Sequence, residues 1–179
     1  GARAAYIASV LAPQRIRACI ALSVGWGTNA VSQDLPLIQA HNYWYHWFMA
    51  TTRGERHVRE DRRAFTRHIW NEWFVAYKPD DAEFDRTAVA FDNPDWADIT
   101  LHSYRSRWGN AAGDPAYAAL EAQFDPVPKQ RVPTLTMHGA QDPVNLPPMS
   151  TPGTERLYSG VTNSTASTAR SSLLRRCTS

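Results

Sequence analysis

The chain has 179 residues, 43% of them hydrophobic, which is enough for one domain with a buried core. Its 19 basic and 17 acidic residues give a formal charge of +2 and are interspersed, which argues against a nucleic-acid partner. The two cysteines form no disulfide framework or metal-ligand spacing, and no apolar run reaches the roughly 20 residues of a membrane span. We therefore expect a cytoplasmic protein with no membrane partner, metal or cofactor; its oligomeric state is left open.

The segment 1–24 predicts a helix followed by a buried strand. Residues Ala2 to Leu11 place apolar side chains on a broad helical face, and Pro13 marks the stop. From Ile16 to Val24 the sequence becomes a nearly continuous apolar run, which is typical of a parallel strand buried on both faces. A helix followed directly by such a strand indicates the α/β class.

The segment 25–131 reads as an inserted all-helical region, because its aromatic-rich stretches are broken by glycine and proline and contain no second buried strand. Within it, apolar residues recur every four positions and predict an amphipathic helix that ends at Pro79. They are Phe65, Ile69, Trp73 and Tyr77. A further helix is predicted from Pro94 to Trp108, since Asn93 offers an N-cap and Pro94 suits the first helical position.

The segment 132–160 returns to the α/β pattern. Thr134 to Gly139 is a β-prone run that closes on glycine, and Asp142 follows it. Catalytic groups of open α/β sheets lie outside the carboxyl ends of the strands, which makes Asp142 a candidate catalytic acid. An ordinary turn aspartate before Pro143 remains the alternative.

The segment 161–179 contains nine Ser or Thr and no aromatic residue. Such a composition cannot build a packed core, so we predict that this tail is disordered, or that it results from a frameshifted reading.

Three stretches together resemble the α/β-hydrolase superfamily, in particular its epoxide hydrolases and its haloalkane and haloacetate dehalogenases. The stretch from Gly1 to Val24 is similar to the segment after the nucleophile elbow, and the stretch from Pro133 to Asp142 is similar to the strand that presents the triad acid. Between them, aromatic segments resemble the cap of these enzymes. They are Trp44-Tyr45-His46-Trp47-Phe48 and His102-Ser103-Tyr104-Arg105. The resemblance spans about residues 1 to 160. It implies a partial α/β-hydrolase fold: a mostly parallel sheet with two core strands present and a helical cap inserted at 25–131.

The resemblance also implies a mechanism. In this family an Asp attacks carbon to form an alkyl-enzyme ester, and a His, oriented by an acid, activates the water that hydrolyses it. The alignment of motifs places that Asp two positions before Gly1, and no Gly-His-aromatic motif follows Asp142. Of the three catalytic residues, Asp142 alone is then present, and we expect the chain by itself to be inactive.

Five further residues receive candidate roles from the resemblance. Tyr104 matches the cap tyrosine that donates a hydrogen bond to the epoxide oxygen. Tyr45, His46 and Trp47 lie where epoxide hydrolases supply a second tyrosine and haloacetate dehalogenases a His-Trp pair that holds the halide. Arg3 is placed to bind a substrate carboxylate. The alternatives are aromatic packing for the cap residues and a surface ion pair for Arg3.

The sequence thus favours a parent enzyme that hydrolyses epoxides and whose substrate is a small apolar or halogenated molecule. A dehalogenase, a Ser-type esterase and a catalytically silent truncated product remain as alternatives. Because the neighbouring central strands are not in the sequence, we also expect apolar strand faces to be exposed and folding to be marginal.

Overall fold

The computed structural model describes residues 1–27 and 34–146, together with the backbone of Val161–Ala166. None of the helices in these residues combines the length and the apolar character that crossing a membrane requires.

The chain divides into two compact units. One comprises Gly1–Ala30 and Gln123–Ser179, and we call it the sheet unit. The other, Val31–Ala122, is called the helical unit. In sequence, the helical unit therefore lies between the two parts of the sheet unit.

Helix α1 (Ala2–Leu11) opens the sheet unit and has the predicted bounds. Four of its ten residues are alanine, the residue with the highest helix propensity, and Pro13 follows its end. Tyr6 and Ser9 lie one turn apart on the buried face. The Tyr6 hydroxyl donates to the Val24 carbonyl at 2.8 Å, which fixes the helix against the chain that follows the first strand.

Three strands form a parallel sheet in the order β1 (Cys19–Leu22), β2 (Thr134–Gly139) and β3 (Val161–Ala166). Cys19 is paired with Thr134, and Thr134 is paired with Val161. This parallel sheet with a covering helix confirms the predicted α/β class.

The strand count is a correction, since two strands were predicted and the described residues contain three. β3 forms the first part of the tail that the composition predicted to be disordered. Its Val161, Thr162 and Thr165 are β-branched and favour extended backbone, and the free edge of β2 offers a complete ladder of backbone partners. The prediction of disorder is therefore wrong for Val161–Ala166, and the frameshift alternative stays a prediction. The rest of the tail, 167–179, lies outside the described residues.

The first strand is shorter than the predicted Ile16–Val24 and is buried on one face only. Cys19 and Ala21 belong to a buried cluster with Tyr6, whereas Ile20 and Leu22 are 65% and 64% exposed. The prediction of burial on both faces is therefore wrong. The expectation that an apolar strand face would be exposed is confirmed in the described part of the chain.

The helical unit consists of short helices joined by tight connections. Those in its described residues are α2 (Leu37–Asn42), α3 (Trp44–Met49), α4 (Thr52–Glu60), α5 (Arg62–Trp73), α6 (Asp81–Ala88), α7 (Trp96–Arg107) and α8 (Ala118–Glu121). Helix α5 ends at Trp73, before the predicted stop at Pro79. Tyr77 consequently leaves the predicted face: it is 58% exposed and its hydroxyl donates to Glu83 Oε2 of α6 at 2.6 Å.

Helix α7 lies inside the predicted range from Pro94 to Trp108. Before it, the Asn93 side chain accepts the backbone N–H of Asp95 at 2.9 Å, in a turn rather than as a cap on the helix itself. At its end Gly109 has φ of +74°, and Asn110 and Gly109 donate backbone hydrogen bonds to Arg105 and Ser106. This Schellman ending fixes where the last turn of α7 stops.

Candidate active site

The centre of the helical unit is an aromatic cluster in which α3 meets α7. Tyr45 and His46 of α3 both contact Tyr104 of α7, with ring centroids 5.5 Å and 4.6 Å away. Tyr45 and His46 are 5% and 3% exposed, so this contact lies in the interior of the unit. Three of the residues with predicted site roles are thus brought together by packing between two helices.

The orientation of His46 is set by a residue that the sequence analysis gave no role. Trp108, just past the end of α7, donates its indole N–H to His46 Nδ1 at 3.0 Å, and Tyr43 stacks on the imidazole at 4.5 Å. An imidazole nitrogen that accepts carries no proton, so neutral His46 holds its proton on Nε2. Trp108 lies four residues after Tyr104 and therefore on the same helical face, and this spacing in the sequence is the signal from which its role could have been predicted.

The Tyr45 hydroxyl is held in its neutral form. Burial raises the pKa of Tyr45 above its ordinary value of about 10. The neighbouring Tyr104 raises it further, whereas the charge of Arg107 opposes the shift. Tyr45 therefore keeps its O–H at every physiological pH, and its side chain is hydrogen-bonded to that of Tyr104.

Trp47 is positioned differently from its two neighbours. It packs on Trp108 with centroids 4.8 Å apart, but its indole N–H donates to the backbone carbonyl of Ala40 at 2.8 Å. An indole has a single donor, so this N–H is already used within the protein.

Arg105 ties together the helices that carry the cluster. Its Nε donates to the Met49 carbonyl at the end of α3, and its Nη2 pairs with Glu55 Oε2 of α4, both at 2.9 Å. Glu55 also pairs with Arg59 at 2.9 Å. The hydrogen bond from Arg59, followed by that from Arg105, holds the pKa of Glu55 below its ordinary value.

A groove of about 330 Å³ opens beside this cluster, between α3, α5 and α7. Its walls are mainly aromatic and aliphatic. They consist of Tyr45, Met49, Phe65, Thr66, Ile69, Trp70, Trp73, Trp96, Ile99, Thr100, Ser103, Tyr104 and Arg107. Tyr45 and Tyr104 therefore border a space of the size at which small-molecule sites begin.

Asp142 and Arg3, the remaining predicted site residues, belong to the sheet unit. Asp142 follows the end of β2, and its Oδ1 accepts the backbone N–H groups of Val144 and Asn145, each at 2.9 Å. These bonds fix the carboxylate as an ordinary Asx turn does, and they also suit an acid that must hold one orientation. Arg3 lies half-buried on α1. The roles predicted for both residues remain predictions.

His138, at the end of β2, is 4% exposed, and neither ring nitrogen has a hydrogen-bond partner among the described residues. Burial lowers the pKa of His138, although the charge of Asp142 opposes this. No group of three or more His, Cys, Asp or Glu residues in the described segments is arranged to hold a metal ion.

A parallel sheet whose sequence is interrupted by an all-helical unit, with an acid after the strand that follows, is the arrangement expected of an α/β hydrolase. No family model matches the sequence, and no curated protein matches it significantly. Solved structures do match. A "putative epoxide hydrolase" from Klebsiella pneumoniae is 31% identical over 93% of this chain and 56% of that protein, with a TM-score of 0.81.

Two more distant structures share the fold. A "putative epoxide hydrolase" from Pseudomonas aeruginosa is 16% identical over 92% of this chain and 54% of that one, with a TM-score of 0.67. A "putative alpha/beta hydrolase" from Nostoc sp. is 16% identical over 93% and 55% of the two chains, with a TM-score of 0.69. The chain belongs to the α/β-hydrolase superfamily and spans about half the length of the solved structures it matches.

Proposed function

We propose that the chain is part of an epoxide hydrolase in which Tyr45, His46 and Tyr104 surround the epoxide oxygen. The observation that carries the proposal is the contact of two phenols and an imidazole inside an apolar helical unit. Epoxide opening needs hydrogen-bond donors at the departing oxygen, and such donors act most strongly where water is excluded. The resemblance of the Klebsiella structure, whose name refers to this chemistry, supports the same choice.

The proposed reaction has two steps. An Asp carboxylate upstream of Gly1 attacks an epoxide carbon and the C–O bond breaks, while a donor from the helical unit gives its proton to the departing oxygen. Water, deprotonated by a histidine that Asp142 orients, then attacks the ester carbonyl. The products are a vicinal diol and the regenerated carboxylate, and the proton taken from water returns to the donor.

The protonation of Tyr45 and His46 supports their proposed role as hydrogen-bond donors. Tyr45 is neutral because burial raises its pKa, and His46 carries its proton on Nε2 because Nδ1 accepts from Trp108. Each residue can therefore donate but does not bring a charge of its own. A neutral donor stabilises a developing alkoxide without binding the uncharged epoxide more tightly beforehand.

Dehalogenation is the second candidate within the same family, and one contact disfavours it. A halide cradle built from a His-Trp pair requires the indole N–H of Trp47 to point at the ion, whereas that N–H donates to Ala40. Releasing it would leave a carbonyl without its partner, at a cost of about 1 to 3 kcal/mol if it is buried.

Identifying the codons upstream of Gly1 is the first test. An Asp codon two positions before Gly1 supports both epoxide hydrolysis and dehalogenation, whereas a Ser codon there contradicts the proposal and indicates an esterase. The protein encoded by the extended reading frame is then assayed with styrene oxide and with fluoroacetate. Turnover of fluoroacetate but not of styrene oxide would identify the protein as a dehalogenase. Turnover of neither substrate would contradict the proposal and indicate a catalytically silent product.

Substitutions in the helical unit test the donors in that extended protein. Tyr104→Phe and Tyr45→Phe should each lower kcat for styrene oxide by about a hundredfold, because each removes a hydrogen bond made in the transition state. Tyr117→Phe is the matched control, since Tyr117 is 57% exposed and lies outside the groove and the cluster. Unchanged kcat in both cluster variants would exclude the phenols from the reaction.

A further inference from the structure

Within the part of the chain that the structure describes, one cation borders the groove and is not neutralised. Arg107 lies half-buried in the last turn of α7, and its guanidinium stands over the Tyr104 ring at 4.9 Å from the centroid. Among the described residues it has no carboxylate partner and no hydrogen bond from its side chain. A charged group at the edge of an apolar groove gains most when it acquires a partner of opposite sign.

Neighbouring arginines in the helical unit are already paired. Arg105 is bound by Glu55 and the Met49 carbonyl. Arg63 pairs with Asp85 at 2.7 Å and Arg67 with Asp81 at 3.0 Å. Arg107 differs from them because its contact is the face of an aromatic ring, which orients the guanidinium but leaves its N–H donors available to a ligand.

The groove walls define the rest of the ligand. Phe65, Ile69, Trp73 and Trp96 present apolar surface, so a bound molecule needs an aromatic or aliphatic body to bury. A volume of about 330 Å³ accommodates a body of one or two fused rings. Arginine recognises carboxylates through paired N–H donors.

We propose that this groove binds a small apolar molecule carrying a carboxylate, and that Arg107 pairs with that carboxylate. The substrate class of the enzyme is then an aryl- or alkyl-substituted epoxide with an anionic substituent. Calling the ligand a substrate rests on the proposed function, because Tyr45 and Tyr104 line the same groove, but binding itself does not depend on it.

The test compares two ligands of equal size with the 179-residue chain by isothermal titration calorimetry. We expect 2-naphthoate to bind at least tenfold more tightly than 2-naphthylmethanol, and Arg107→Met to abolish that difference. Arg107→Lys should keep part of the preference, because it keeps the charge without the paired donors. Arg56→Met is the control, since Arg56 is exposed on α4 and does not line the groove.

A second variant separates the contribution of the apolar groove to binding from the contribution of the Arg107 charge. Thr100 lines the groove, so Thr100→Phe should weaken both ligands to a similar extent while leaving their ratio intact. Equal binding of the two ligands to the unmodified chain, or an undiminished preference in Arg107→Met, would overturn the proposal. Preference for naphthoate without epoxide turnover in the extended protein would reject the proposed function alone, and turnover without preference would reject this inference alone.

Discussion

The two units differ in how they use their apolar surface. In the sheet unit the buried cluster is small and includes Cys19 and Ala21, while Ile20 and Leu22 of the same strand are exposed. In the helical unit the aromatic rings contact one another from α3 to α7, and six of the seven tryptophans lie there, Trp26 being the exception. The helical unit thus buries its apolar groups against one another, whereas the described residues of the sheet unit leave the face with Ile20 and Leu22 uncovered.

This contrast indicates where cooperative stability and a defined site geometry reside. Because its aromatic contacts are buried, the helical unit is expected to unfold in a sharp transition, whereas marginal folding is expected of the sheet unit with its exposed strand face. Tryptophan fluorescence will report mainly on the helical unit. Substitutions that act on the helical unit should accordingly change that transition strongly, and those at the open strand face should change it little.

The largest expected effect follows from Phe84→Ala. Phe84 is 2% exposed, contacts Trp70 and Phe91, and lies beneath the Arg67 guanidinium at 3.7 Å from its ring centroid. Removing the ring should lower the free energy of unfolding by about 4 kcal/mol, as measured by urea denaturation followed by tryptophan fluorescence. Leu22→Ala, at a residue that is 64% exposed, should cost less than about 1 kcal/mol. Equal costs for the two would contradict the contrast between the units.

A smaller effect is expected from Gly54→Ala in the first turn of α4. A Cβ at this position would overlap the backbone carbonyl of Phe48, so α4 could no longer approach the end of α3. The free energy of unfolding should fall by about 3 kcal/mol, because the obstruction is backbone and cannot rotate away. Gly113→Ala is the control: there a Cβ meets only the flexible side chain of Glu121 at 3.1 Å. A similar loss in both variants would show that close packing of α3 on α4 is not what Gly54 provides.

Gly109→Ala should have a still smaller effect. Gly109 has φ of +74° and open space around it, so the cost comes from backbone strain alone, about 1 kcal/mol. The same change should weaken the near-ultraviolet circular dichroism of the tryptophans, because Gly109 fixes the end of α7 where Trp108 reaches His46. Gly109→Asn should cost less, since asparagine tolerates this conformation better. An asparagine variant as unstable as the alanine variant would exclude φ as the cause.

Local signals in the sequence predicted most of the regular structure. The alanine-rich α1 was predicted with its exact bounds, and the run that became β2 was found because it is β-prone and closes on glycine. The errors arose where the structure of a segment depends on residues that are distant in sequence. β3 was missed because its backbone partner on β2 is distant in sequence, and the one-sided burial of Ile20 depends on which elements cover the strand.

The candidate site was predicted in part. Tyr45, His46 and Tyr104 were identified through the resemblance, but the contact between them requires α3 to pack on α7, which no local pattern encodes. The indole N–H of Trp47 is used in a hydrogen bond to the Ala40 carbonyl. The position of the proton on His46 is set by a hydrogen bond that Trp108 donates. Such partners are set by packing, and residue type alone does not reveal them.

The smallest predicted effect concerns Glu55, whose pairing with Arg105 and Arg59 joins α4 to α7 at the protein surface. Because the pKa of Glu55 is lower in the folded protein than in the unfolded chain, its contribution to stability is present above the unfolded pKa of about 4.3. That contribution is lost as the pH falls through the lower, folded value. The stability difference between the native chain and Glu55→Gln should therefore be present at pH 7 and shrink below pH ~4. Urea denaturation across this pH range, at low and high salt, measures it.

Glu60→Gln, on the same helix but outside these ion pairs, is the control and should give a difference that does not vary with pH in this way. Added salt should reduce the Glu55 effect, because exposed ion pairs are screened. If the stability difference between the native chain and Glu55→Gln persisted unchanged at pH 3, the contribution of Glu55 would come from packing and not from its charge. The Arg59–Asp98 pair at 2.7 Å and the ring contacts of Tyr104 would then remain as the links between α7 and the neighbouring helices.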